Sequence, residues 1–243
     1  MPFFSVITVC YNPDNSFERT AESLKNQTCK DFEWIVIDGF SNNSSQAIIK
    51  KYDQFINFYL SEPDNGISDA FNKGLSNVSG EYVLILNVGD TYDENFLNYI
   101  KPFCISNNLI SCGARVEDEF SSFTLLPSIS RVHTGMFLPH NWLAVPKCIY
   151  DEIGNYKLIE FSMDYDWLKR YLNVYGISEI IIINKAFGNY TLGGVSDKDF
   201  LFSFWQNYKI NRCFGFSKLY SFYIFSLSIF KHFLFKIIRS FKK

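Results

Sequence analysis

At 243 residues the chain is long enough for one α/β domain with a short appendage and short for two full domains. Hydrophobic residues make up 47% and charged residues 20%, which excludes a disordered chain. The net charge of −2 hides an asymmetry: residues 200–243 carry eight Lys or Arg and no Asp or Glu, which leaves 15 basic and 25 acidic residues in the rest. A basic, aromatic tail behind an acidic body points to an anionic partner, either nucleic acid or anionic lipid.

The six cysteines form neither a C-x-x-C pair nor a dense disulfide framework. The N-terminus, Met1-Pro2-Phe3-Phe4-Ser5, enters a strand pattern without the charged and apolar regions of a signal peptide. A reducing cytoplasmic location is the expectation.

Phe4 to Val9 is a β-branched apolar run, and the turn formers Tyr11-Asn12-Pro13-Asp14-Asn15 follow it, so a first strand and its loop are predicted. Residues 16–28 show a helical rhythm (Phe17, Ala21, Leu24) behind Ser16 as N-cap. Phe32 to Ile37 reads as a second buried strand ending on Asp38-Gly39, and strand, helix, strand is the opening of a parallel sheet. Next come a helix around Gln46 to Tyr52, a short strand near Phe58 to Leu60, a polar loop from Ser61 to Gly66 and a helix from Ile67 to Leu75. Glu81 to Leu86 is the clearest central strand and stops at Asn87-Val88-Gly89-Asp90. Asn12, Asp38 and Asp90 thus lie just past strand ends, where ligands gather in open α/β sheets.

Between residues 100 and 160 the signals are mixed, with strand character at Ile110 to Val116 and an apolar stretch at Trp142 to Val145. A helix is predicted over Met163 to Leu172, a strand over Ile177 to Ile183, and the segment Phe187 to Leu192 precedes a Gly193-Gly194-Val195-Ser196 turn. In the tail, Lys218, Ser221, Ser228, His232, Lys236, Arg239 and Lys243 recur at intervals of three, four or seven, the polar face of one helix. Its apolar part is too short and too broken by Ser to span a bilayer of about 30 Å, so an interfacial helix is expected.

Four segments carry a resemblance: PFFSVITVCYN at the start, WIVIDGFS around Asp38, EPDNGISDAFNKG from Glu62 to Gly74, and SGEYVLILNVGD ending on Asp90. In order and spacing they resemble the nucleotide-binding half of family 2 glycosyltransferases, over roughly residues 3–97. SMDYDWLKR and the later LGGVS resemble the acceptor half of the same family. The resemblance implies a GT-A fold, a mixed, mostly parallel Rossmann-like α/β sheet flanked by helices, over residues 1–199. Residues 1–99 are then the nucleotide-sugar-binding half and 100–199 the acceptor-binding half, with 200–243 as a membrane-associating tail. The activity it implies is inverting transfer from a nucleotide diphosphate sugar, UDP-linked by preference, to a saccharide acceptor. A polyprenyl-diphosphate-linked sugar in bacterial surface polysaccharide, O-antigen or lipopolysaccharide assembly is the acceptor implied, met at the inner face of the cell membrane.

Such a reaction needs a surface for the nucleotide, a divalent cation for the departing diphosphate and a base for the acceptor hydroxyl. By matching position, the resemblance places Thr8, Tyr11 and Asp38 around base and ribose, with Asp69 and Asn72 also toward the donor. Asp90 matches the last carboxylate of the family's metal-binding run, which makes Mn²⁺ or Mg²⁺ the implied cofactor. Asp164 matches the base, and His140, Asp166 and Arg170 fall on the acceptor side. Local readings stand beside these: Asp38-Gly39 and Gly89-Asp90 are turn formers, and Asp164 and Asp166 are acidic residues at a helix start. His133 and His140 lack the third ligand of a zinc site. Asn87 and Gly89 stand where the family often has carboxylates, and Met163 where it often has Glu. These departures leave a catalytically inactive nucleotide-sugar-binding scaffold as the alternative. Nucleic acid is disfavoured by a tail so rich in Phe and Ile, an anionic membrane surface is favoured, and a homo-oligomer stays open.

Overall fold

The computed structural model describes residues 1–105, 107–117, 122–132, 135–192 and 199–240. His133, the expected turn at Gly193 to Ser196, and Lys243 lie outside the described residues. The first half runs β1 (Phe4–Cys10), α1 (Ser16–Lys25), β2 (Phe32–Asp38), α2 (Asn43–Lys50), β3 (Phe58–Ser61), α3 (Ile67–Leu75), β4 (Tyr82–Ile85), β5 (Thr91–Tyr92) and α4 (Phe96–Ile100). The second half continues with β6 (Leu109–Glu117), β7 (Ser122–Leu125), β8 (Leu143–Pro146), α5 (Lys147–Ile153), α6 (Met163–Tyr175) and β9 (Ile180–Tyr190). Two helices, α7 (Phe200–Cys213) and α8 (Lys218–Ser240), close the chain.

The strands form one sheet in the order β3-β2-β1-β4-β8-β6-β9-β5, with β7 paired to β6. β1 to β4 are mutually parallel, as the βαβ alternation requires, and β8 enters antiparallel between β4 and β6. Because side chains alternate along a strand, β1 feeds two cores at once. Phe4, Val6 and Cys10 pack on one face with Trp34, Val36 and α1, while Ile7 and Val9 pack on the other with Ile35, Ile37 and α3. α3 lies so close to β1 that a Cβ at Gly74 would stand 2.6 Å from Ile7 Cγ2, so only glycine fits there.

Several expectations change. Ser16 is the first residue of α1, not its cap; the Asp14 carboxylate accepts the Ser16 N–H at 2.8 Å. The strand predicted at 177–183 and the segment 187–192 are one continuous β9. β5, α4, β7 and α5 went unpredicted because elements of two to seven residues leave little periodicity to read.

The tail is a helical hairpin, and its inner helix belongs to the body. Ile210 and Asn211 are buried, and Tyr165 of α6 donates its hydroxyl to Asn211 Oδ1 at 2.7 Å. Lys169 of α6 is buried with no carboxylate partner among the described residues: its ammonium donates to the Val132 carbonyl at 3.1 Å and lies 5.2 Å and 4.6 Å from the ring centres of Tyr165 and Phe216. In α8, Ser221 is buried and Leu219, Tyr223 and Phe230 face outward.

Candidate active site

A cavity of about 500 Å³ opens at the carboxyl ends of β1 and β4. Val9, Cys10 and Tyr11 line it from the exit of β1, and Asn87 and Val88 from the exit of β4. Its opposite wall comes from His140 to Trp142, from Phe161 to Tyr165 at the start of α6, and from Ser203 and Asn207 of α7. A boundary at residue 199 therefore does not separate the tail from the site.

Of the residues singled out in the sequence, Tyr11, His140 and Asp164 meet in this cavity. Asp164 is partly exposed and its Oδ1 accepts the Tyr165 N–H at 2.8 Å. Ser162, two residues earlier, sits in the left-handed region at φ 59° with its hydroxyl 3.4 Å from the Ser203 hydroxyl. A residue other than glycine there costs about 1 kcal/mol, so strain is stored directly ahead of Asp164. His140 Nε2 lies 3.1 Å from the Tyr156 hydroxyl, which lies 3.0 Å from that of Tyr150. Burial pushes the His140 imidazole below its ordinary 6.5, against the opposing pull of the Asp164 charge, so the ring is neutral at neutral pH.

Asp90 lies one layer behind the wall. It is 3% exposed, with Oδ1 accepting the Thr191 N–H at 2.6 Å and Oδ2 accepting the Asn141 amide. Burial raises its carboxyl to about 7, although the hydrogen bonds from Thr191 and Asn141 and the charge of Arg19 work the other way. Beside it, Asn141 Oδ1 and Asn87 Oδ1 are buried acceptors with no donor among the described residues. One carboxylate and two orphaned amide oxygens are a hard donor set that fits a divalent cation sharing its remaining ligands with phosphate. Among the described residues no three His, Cys, Asp or Glu cluster as a complete protein cage.

The other candidates are held elsewhere. Thr8 is fully buried and accepts the Trp34 indole N–H at 3.0 Å; Val9 and Cys10, nearer the exit of β1, line the cavity in its place. Asp38 is also fully buried, and its oxygens accept the Ser41 N–H and hydroxyl, the Tyr59 hydroxyl at 3.1 Å and the Ser61 hydroxyl at 2.7 Å. It fastens the loop after β2 and lies outside the cavity wall. Asp69 accepts the Asn65 N–H at 2.9 Å and lies 3.7 Å from the Lys73 ammonium, bracing the loop before α3. Asn72 gives its amide to the Tyr156 carbonyl at 2.8 Å and accepts the Tyr156 N–H at 3.0 Å. Asp166 is buried between Lys157 at 2.8 Å and Arg170 at 3.1 Å, and Arg170 also donates to the carbonyls of Ile153, Gly154 and Asn155. Both residues knit α6 to the segment before it, and neither lines the cavity.

Sequence reasoning missed Asp64 and Gly39 as a pair. A Cβ at Gly39 would stand 2.6 Å from Asp64 Oδ2 and 3.4 Å from Tyr11 Cδ2, so glycine lets the Asp64 carboxylate and the exposed Tyr11 ring close on the backbone after β2. Both residues stand inside quoted motifs, but their proximity arises only when the loops after β2 and β3 converge. Asn207 and Ser203 had no signal beyond lying four apart on one helix face.

The model of the glycosyl transferase family 2 matches residues 5–168. An uncharacterised glycosyltransferase of Rickettsia typhi is 27% identical over 205 residues, which cover 76% of this chain and 64% of that protein. The chain thus spans less than two thirds of that relative's length. The poly(ribitol-phosphate) β-N-acetylglucosaminyltransferase TarP of Staphylococcus aureus is 34% identical over 109 residues, 43% of this chain and 33% of TarP. Among solved structures, S. aureus TarS 1–349 in complex with UDP-GlcNAc superposes with a TM-score of 0.68 at 18% identity, covering 97% of this chain and 73% of that one. The mannosyltransferase PcManGT of Pyrobaculum calidifontis, in complex with GDP-Man and Mn²⁺, superposes with a TM-score of 0.64 at 14% identity, over 93% and 74% of the two chains. At these identities the likeness establishes the GT-A fold, and the family match, over more than half of the sequence, establishes membership: the chain belongs to glycosyl transferase family 2.

Proposed function

We propose that the protein is an inverting glycosyltransferase that moves a sugar from a nucleotide diphosphate, UDP by preference, to a saccharide hydroxyl. The observation that carries the reading is the placement of Asp164 in the same cavity as the β1 and β4 exits. Nucleotide-bound fold neighbours support the donor class, since TarS structures contain UDP or UDP-GlcNAc and PcManGT contains GDP-Man. In this reading Tyr11 offers its exposed ring to the nucleobase and the nearby Asp64 carboxylate accepts from the base edge. Asp164 takes the proton of the acceptor hydroxyl as its oxygen bonds to the anomeric carbon and the bond to the diphosphate breaks, which inverts the anomeric centre. Neutral His140, fixed by Tyr156, supplies a hydrogen bond on the acceptor side.

Asp90, Asn141 and Asn87 would hold Mn²⁺ or Mg²⁺, and such an ion neutralises charge developing on the departing diphosphate. The Mn²⁺ in PcManGT supports this cofactor. The acceptor proposed is a sugar on a polyprenyl diphosphate in surface polysaccharide or O-antigen assembly, met at the inner membrane face. TarP, named for a poly(ribitol-phosphate) acceptor, supports the polymer class.

The test is a panel of sugar nucleotides with Mn²⁺ and a synthetic lipid diphosphate sugar, scored for product by mass, for wild type and Asp164→Asn. Removing a positioned base should lower turnover by about 10²–10⁴-fold with nucleotide affinity unchanged. Nucleotide binding without transfer to any acceptor, unaltered by Asp164→Asn, would replace this reading with the inactive scaffold.

A further inference from the structure

We infer that the outer face of α8 is a docking surface for an anionic bilayer, and that the cavity thereby draws its acceptor from membrane lipid. At 100° per residue, Leu219, Phe222, Tyr223, Phe230, Phe233 and Ile237 fall within an arc of about 100°. Each is at least half exposed, Leu219 reaching 85%. The opposite side of the helix is buried at Ser221 and Ile224, and the Ser228 hydroxyl is turned back to donate to the Ile224 carbonyl at 3.0 Å. The helix therefore turns Ser221 and Ser228 inward and six large apolar side chains outward, with Ser226 exposed among them, along a length of about 34 Å. Water is the wrong solvent for such a face, and a continuous exposed stripe of this kind marks a contact surface.

Charge decides what covers it. Residues 200–243 hold eight cations and no carboxylate, and Lys209, Arg212, Lys218 and Lys231 are exposed. A second copy of the hairpin would bring like charges together with nothing to pair them. An anionic headgroup layer supplies the counter-charge, and the aromatic stripe supplies the buried area. Among the described residues no helix is long and apolar enough to cross a membrane, so α8 lies on the bilayer.

The other helix of the hairpin makes the placement functional. α7 gives Ser203 and Asn207 to the cavity wall, and Asn207 Oδ1 is buried without a hydrogen-bond partner among the described residues. One hairpin thus faces the bilayer on one side and the cavity on the other, which selects an acceptor sugar carried on a lipid headgroup. In naming that acceptor the inference rests on the glycosyltransferase reading; the bilayer contact does not.

Flotation of the full chain with vesicles tests the contact. Wild type should float with vesicles of phosphatidylcholine containing one-third phosphatidylglycerol, and less with phosphatidylcholine alone. The triple change Leu219→Glu, Tyr223→Glu, Phe230→Glu should abolish flotation. Lys209→Gln, Lys218→Gln, Lys231→Gln leaves the stripe intact and should weaken binding to the anionic vesicles about a hundredfold, from roughly fivefold per cation, without changing binding to neutral ones. Wild type that floats with neither vesicle overturns the proposal. So does a dimer in light scattering that the three glutamates dissociate, since the stripe would then be a self-interface. Equal binding to both vesicles, untouched by the glutamines, overturns the anionic part. Flotation that succeeds while the sugar-nucleotide panel fails would leave the docking surface standing and remove the glycosyltransferase reading.

Discussion

Lys169 offers a measurement of the interior between α6 and the hairpin. Burial lowers its ammonium from the ordinary 10.5 to about 8, a difference worth ~3 kcal/mol against the folded state at neutral pH. The hydrogen bond to the Val132 carbonyl and the two ring faces each return about 0.5–1 kcal/mol. Lys169→Met keeps the stem, removes the charge, and should therefore stabilise the protein by ~1 kcal/mol at pH 7. The sign with pH follows from linkage. Between pH 8 and 10.5 the unfolded chain binds the proton that the folded chain has shed, so wild-type stability rises through that window relative to the variant. Urea melts of both proteins at pH 7, 8, 9 and 10 give the difference directly. It should favour the variant at pH 7, narrow above pH 8 at about 1.4 kcal/mol per pH unit, and reverse near pH 9. Parallel curves, or a variant less stable by more than about 1 kcal/mol at pH 7, would show that the aromatic faces fully replace water around the ammonium and refute the reasoning.

Two further substitutions separate scaffold from site. Thr8→Val removes the acceptor of the Trp34 indole N–H in a dry core and should cost about 1–3 kcal/mol in a denaturant melt, while nucleotide affinity by calorimetry stays unchanged. Asn72→Ala breaks both hydrogen bonds to the Tyr156 backbone and should lower stability by about 2 kcal/mol. Its effect on turnover should appear as a higher acceptor KM, because Tyr156 also steadies His140.

The parallel half of the fold was legible because its strands are fully buried and their β-branched runs are unambiguous: β1, β2 and β4 stand where Phe4 to Val9, Phe32 to Ile37 and Glu81 to Leu86 predicted them. The site was legible only in part. Tyr11 and Asp164 line the cavity, whereas Thr8, Asp38 and Asn72 match motif positions yet spend their hydrogen bonds on the scaffold. A motif position shows that a polar group is needed, and burial decides whether that group faces a ligand or a loop. For Thr8 the answer lies in depth along β1: Val9, Cys10 and Tyr11 at the strand's exit line the cavity, while Thr8 lies further in and bonds Trp34. For Asn141, whose amide meets Asp90, no local pattern could reveal a contact across 51 positions of sequence. In the tail, periodicity identified the two faces of α8 and said nothing about which one the body would cover.

Ser68 and Asn72 lie one turn apart on the same side of α3, and both reach into the later half of the chain, to the Ile159 carbonyl at 2.6 Å and to Tyr156. A protein engineer seeking a new acceptor preference by exchanging the second half would naturally cut near residue 100. That cut would sever these hydrogen bonds, along with those of Asp90 to Asn141 and Thr191, and leave the Ser68 hydroxyl and the Asn72 amide facing an unmatched backbone. Chimeras should therefore carry the segment 155–160 together with α3, and Asn141 and Thr191 together with Asp90.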